Sequence, residues 1–113
     1  MIRIATSAQG LAAAIGMVVA CGTANATSDS LVGRGREIAK TACADCHAVG
    51  PIGTSPKKEA PPFRELGRKY PVESLEEALA EGVVVGHPGM PQVKMNEADI
   101  GAFIAWLKTI QLP

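Results

Sequence analysis

The stretch Cys43-Ala44-Asp45-Cys46-His47 constrains the fold of this chain more than any other part of the sequence. Two cysteines separated by two residues and followed at once by histidine form the attachment motif for a c-type haem. The two thiols add across the vinyl groups of one porphyrin, and the histidine ligates its iron. The sequence therefore predicts one haem c, bound through two thioether bonds to Cys43 and Cys46, with His47 as an iron ligand.

Two other functions of such a motif fit the rest of the chain less well. A thioredoxin-like Cys-x-x-Cys pair requires a βαβ context, which the sequence does not offer. A zinc site requires further ligands, and only Cys21 and His87 remain to supply them. Covalent haem is therefore the favoured interpretation.

Residues 1–26 have the pattern of a cleaved signal peptide. Arg3 gives the positive charge, residues 11–20 give an apolar run, and Ala24-Asn25-Ala26 gives an A-x-A cleavage site. The run is shorter than the ~20 apolar residues of a transmembrane helix. Cleavage would leave residues 27–113 as a single domain. Retention of the segment as an N-terminal anchor or a buried helix is the alternative.

Lipidation at Cys21 is an alternative way in which this segment could be processed. Val18-Val19-Ala20-Cys21-Gly22 resembles a bacterial lipobox, in which cleavage before Cys21 leaves a lipidated cysteine. Either route delivers the domain to the periplasm, as a free protein or tethered to a membrane. Removal of Cys21 would leave only the haem cysteines, which excludes a disulfide framework. The formal net charge is zero, and the sequence has no basic stripe of the kind that would indicate nucleic-acid binding.

The mature chain reads as short helices separated by loops. Apolar and small residues recur at helical spacing over residues 31–42, with Gly35 inside and Asp29 or Ser30 as the expected cap. Residues 48–62 are rich in proline and glycine and predict a loop. Lys57, Lys58 and Glu59 in this loop are expected at a solvated tip, with a partner-docking patch as the alternative.

Two further short helices and one long helix are expected after this loop. Residues 63–70 should bury Phe63 and Leu66, and residues 71–81 should form a helix that ends at Gly82. Val83-Val84-Val85 is interpreted as an extended apolar wall. The last helix begins after Asn96, an expected N-cap, and its apolar stripe should face the first helix near Gly35. That stripe comprises Ile100, Phe103, Ile104, Leu107 and Ile110.

The loop Gly86-His87-Pro88-Gly89-Met90-Pro91 carries a second candidate iron ligand. A thioether is a soft ligand, and it raises the reduction potential relative to a second histidine. Met90, held among prolines and glycine, is the expected sixth ligand. Met95 and His87 are the alternatives, although Met95 is better placed to pack against the last helix.

Taken together, these residues resemble the mono-haem class I cytochromes c of bacteria, over residues 31–112. The matching segments, in the family's order, are Gly35, the CADCH motif, Ala60-Pro61-Pro62-Phe63, the GHPGMP loop and the terminal AFIAWLKTIQ helix. The resemblance implies an all-α fold of about four helices wrapped around one haem.

The resemblance also implies roles for individual residues. His47 would be the proximal ligand and Met90 the distal ligand, and a proline carbonyl would accept a hydrogen bond from His47. Pro61 is the expected acceptor, with Pro62 as the alternative. The chain has Ala39 where many relatives carry an aromatic residue, so Trp106 is expected to fill that space.

The expected function is single-electron transfer in the periplasm, without enzymatic activity or a small-molecule substrate. The expected partners are membrane or periplasmic dehydrogenases, oxidases or reductases, and not nucleic acid. One alternative is a cytochrome subunit fixed in a dehydrogenase or oxidase complex. Another is a haem sensor or peroxidase with an open distal site.

Overall fold

The computed structural model describes residues 10–18, 23–82 and 88–113, and within these ranges the chain is helical with no β-strand. The described residues form three α-helices and two 3₁₀ helices, so the prediction of an all-α fold is confirmed. In chain order these are α1 (Thr23–Ala42), η1 (Phe63–Arg68), η2 (Val72–Ser74), α2 (Leu75–Glu81) and α3 (Glu97–Thr109).

Helix α1 begins eight residues before the predicted start at residue 31, so the expected caps Asp29 and Ser30 lie inside the helix. The predicted start was wrong because residues 23–30 contain neither proline nor glycine, and a good capping residue does not by itself end a helix. Residues 26–31, the part of this segment whose burial is described, are exposed. Cleavage after Ala26 stays a prediction; Arg3 and Cys21 lie outside the described residues.

The described part of the N-terminal segment, residues 10–18, has no regular secondary structure. Its large apolar side chains are almost fully exposed, as for Leu11 and Ile15. Across the described ranges, the structure contains no helix that combines the length and apolar character needed to cross a membrane.

The segment between α1 and α3 follows the sequence expectations closely. Residues 48–62 form an irregular loop, and η1 buries Phe63 and Leu66 as predicted. The helix expected over residues 71–81 is divided into η2 and α2. Gly82 ends α2 with φ of +95°, a backbone conformation that glycine adopts without steric cost. Residues 83–87, including the predicted apolar wall and His87, lie outside the described residues.

Helices α1 and α3 approach each other most closely at Gly35. A Cβ atom added at Gly35 would lie within the contact distance of the Ala102 carbonyl oxygen and 2.6 Å from Trp106 Cβ. Arg34 forms an ion pair of 2.7 Å with Asp99 beside this crossing. Asn96 caps α3 as predicted, because its Oδ1 accepts a hydrogen bond of 2.8 Å from the Asp99 backbone N–H.

The core lies between this helix pair and η1. Trp106 and Leu107 are its largest completely enclosed side chains. Phe63 makes edge-on contacts with Phe103 and Trp106, at ring-centroid distances of 5.8 Å and 6.2 Å. Ala39 is completely buried in the same cluster as Trp106, and the filling of the space beside it by the indole stays a prediction.

Substitution at two glycines of α1 tests the close crossing. We expect Gly35→Ala to lower the free energy of unfolding by about 1–3 kcal/mol, because the new methyl group overlaps α3. Gly33 has no atom within 4 Å of its Cβ position, so Gly33→Ala should instead stabilise α1 by up to about 1 kcal/mol. Denaturant unfolding of the haem-loaded proteins measures the free energy of unfolding of both variants. Equal changes in Gly35→Ala and Gly33→Ala would contradict a close approach of α1 and α3 at Gly35.

Candidate haem site

The Cys43–His47 motif continues directly from α1 as one further helical turn. The backbone N–H of Cys43 donates to the Ala39 carbonyl (3.0 Å), and those of Cys46 and His47 both donate to the Cys43 carbonyl (3.2 and 2.9 Å). Both cysteines are partly buried free thiols. The turn therefore brings the two thiols and the imidazole together at the C-terminal end of α1.

Cys43 lies against the hydrophobic core, and burial raises the pKa of its thiol to about 11. Burial has this effect because a low-dielectric environment disfavours the thiolate. A thioether has neither a proton to lose nor a charge to bury. The surroundings of Cys43 therefore suit the covalently attached form, and they fit a haem bound at this motif.

The imidazole of His47 is oriented by Pro61, near the end of the loop, and by Phe63, the first residue of η1. Its Nδ1–H donates a hydrogen bond of 2.8 Å to the carbonyl oxygen of Pro61, so Pro61 and not Pro62 faces the ring. The ring also packs at 4.6 Å, between centroids, on Phe63. With Nδ1 as donor, Nε2 carries the lone pair and is the nitrogen available to a metal.

Gln111 holds η1, and therefore Phe63, in position. Its Nε2 donates to the carbonyl oxygens of Phe63 (2.8 Å) and Leu107 (2.9 Å), and its Oε1 accepts from the Gly67 N–H (2.7 Å). Sequence reasoning missed this residue. A single glutamine after an apolar helix gives no signal that separates it from a solvated surface residue.

The loop between His47 and Pro61 is tied back to its own ends. Ser55 Oγ accepts from the Ala48 N–H at 3.0 Å, and the Phe63 N–H donates to the Ala48 carbonyl at 3.0 Å. Arg64 donates from one guanidinium nitrogen to the Gly53 carbonyl at 2.8 Å. These contacts fix where Pro61 lies relative to His47.

The candidate distal ligand Met90 is partly buried and follows the exposed pair Pro88 and Gly89. Gly89 has φ of +84°, so this turn requires a residue that tolerates the left-handed region. Met95 packs against the hydrophobic core, and its N–H donates to the Leu79 carbonyl at 3.0 Å. It thus occupies the packing position expected for it.

The fold and the site together define an all-helical protein built to carry a covalently attached haem c. Comparison with known families agrees. The profile of the Cytochrome c family matches residues 32–111, and the chain belongs to that family. The chain is also 26% identical, over 99 residues, to cytochrome c-552 of Bradyrhizobium diazoefficiens, covering 85% of this chain and 93% of that protein. No solved structure matches significantly.

Membership of this family makes the protein an electron-carrier haem protein. The haem c, when bound, supplies a one-electron iron couple; the chain supplies attachment, orientation and a partly apolar environment. Members of the family are generally electron carriers and not enzymes.

The support from Gln111 is testable through the stability of the protein. We expect Gln111→Leu to lower the free energy of unfolding by about 1–3 kcal/mol, because the carbonyl of Phe63 and the N–H of Gly67 lose their partner. The measurement is denaturant unfolding of the haem-loaded variant beside the parent. An unchanged midpoint would show that water replaces the glutamine without cost.

Proposed function

We propose that this protein is a periplasmic single-electron carrier whose haem iron is held between His47 and Met90. The hydrogen bond from His47 Nδ1 to Pro61 is the observation that carries the proposal, since it directs Nε2 toward an axial role. The partly buried Met90, in a turn stiffened by Pro88 and Pro91, supports the second ligand.

Two protein ligands favour electron transfer over catalysis. With both axial positions filled, no open site is left for oxygen, peroxide or another substrate. Ligands that stay in place in both oxidation states also keep the reorganisation small. Among the described residues, His47 is fixed by a hydrogen bond and a ring contact, as such a role requires.

The proposed location and partners follow from the processing signals and the charge. Cleavage after Ala26, or lipidation at Cys21, would place the domain in the periplasm. The proposed partners are dehydrogenases, oxidases or reductases that exchange single electrons with the haem edge. Transient redox contacts bury less than about 1,200 Å² in total. The formal net charge of zero makes long-range steering weak.

An optical comparison of Met90→Ala with Met95→Ala tests the axial ligation. We expect the oxidised parent to show the weak red charge-transfer band of a sulfur-ligated haem, and Met90→Ala to lose it. Met95→Ala is the matched control, because this substitution also removes a thioether, but from a side chain that packs against the core. Met95→Ala should keep the band while it lowers the stability of the protein.

Carbon monoxide gives a second readout on the same proteins. Reduced Met90→Ala should bind it readily, because one axial position is open, whereas the parent and Met95→Ala should bind little. A parent without the band, or a Met90→Ala variant that retains it, would refute ligation by Met90. Rapid binding of carbon monoxide by the parent would instead favour a sensor or peroxidase.

A further inference from the structure

Lys57 connects the haem-attachment motif with the turn that carries Met90. Its backbone N–H donates to the Cys46 carbonyl at 3.1 Å, next to His47. Its Nζ donates to the Gly89 carbonyl at 3.3 Å, next to Met90. One residue therefore joins the neighbours of both candidate axial ligands. The solvated tip expected for Lys57 is wrong in this respect, because the side chain is partly buried and engaged.

The conformation of Gly89 shows how closely Lys57 approaches the turn. A Cβ atom added at Gly89 would lie 2.8 Å from Lys57 Nζ, so the ammonium group occupies the space that any other side chain would need. The positive φ of Gly89 turns its carbonyl within reach of the lysine. The side chain of Lys57 and the backbone of Gly89 are therefore in direct contact.

The turn has few other hydrogen-bonded attachments, although the Gln92 side chain lies against Gly82. Within the described part of the chain, the bond from Lys57 to Gly89 is the hydrogen bond that ties residues 88–94 to the rest of the protein. Pro88, Gly89 and Pro91 are exposed, so burial adds little to their stability. The next backbone anchor is the bond from Met95 to Leu79.

We propose that Lys57 is a positioning residue that holds the Met90 turn against the haem motif and so determines how firmly Met90 stays on the iron. This inference rests on the ligation by Met90 proposed above. The lysine acts through the Gly89 carbonyl and does not touch the ligand. Loss of the ammonium group frees the turn, and an external ligand then competes more easily with the thioether.

Titration with imidazole, followed by the loss of the red charge-transfer band, measures this competition. In Lys57→Met the half-displacing concentration should fall roughly fivefold, as expected from loss of one hydrogen bond of ordinary net strength. Lys57→Arg should restore the parent value, because a guanidinium group can donate to the same carbonyl.

Lys58→Met is the matched control. Lys58 is the exposed neighbour of Lys57, and it makes no hydrogen bond or ion pair with the described residues. Its substitution by methionine removes the same charge as Lys57→Met. It should leave the half-displacing concentration unchanged. The free energy of global unfolding should be the same in Lys57→Met and Lys58→Met.

The outcomes distinguish this inference from the proposed function. If the parent has the band but Lys57→Met and Lys58→Met give equal midpoints, Lys57 does not hold the turn, while ligation by Met90 stands. If Lys57→Arg behaves as Lys57→Met, the hydrogen bond is likewise not the cause. If the parent lacks the band, ligation by Met90 fails first, and the role of Lys57 fails with it.

Discussion

The close packing of α1 against α3 at Gly35 is the contact on which the rest of the structure depends. The C-terminal end of α1 continues into the Cys43–His47 turn. Just beyond α3, Gln111 holds the carbonyl of Phe63. Phe63 in turn packs on the ring of His47. Both series of contacts that begin at the crossing of α1 and α3 therefore end at the imidazole of His47. The geometry of the crossing thus determines where this ring lies.

Much of this arrangement could be predicted from the sequence because its signals are local. The attachment motif, the cap at Asn96 and the helix end at Gly82 each depend on a few consecutive residues. The role of Gly35 followed from the cost of glycine inside a helix, which favours a packing reason. The acceptor role of Pro61 came from resemblance to a family, and the structure places its carbonyl at the expected nitrogen.

The parts that could not be predicted depend on residues far apart in the chain. Gln111 is 48 positions from the Phe63 carbonyl that it binds, and Lys57 is 32 positions from Gly89. Glutamine and lysine are usually solvated, and spacing alone does not reveal which carbonyl a long side chain will reach. The start of α1 was missed for another reason, since a capping residue permits a helix end without requiring one.

The two sides of the site differ in how they are held, and this difference has a chemical consequence. On the proximal side, His47 has a hydrogen bond, an aromatic contact and a buried core behind it. On the distal side of the proposed site, Met90 is partly buried, but its neighbours Pro88, Gly89 and Pro91 are exposed, and Lys57 makes the hydrogen bond that joins the described part of this turn to the rest of the protein. Opening of the turn thus costs far less than displacement of the histidine, because opening breaks few buried contacts. Under the proposed ligation by His47 and Met90, an external ligand would therefore enter from the methionine side, and the haem would remain attached through Cys43, Cys46 and His47.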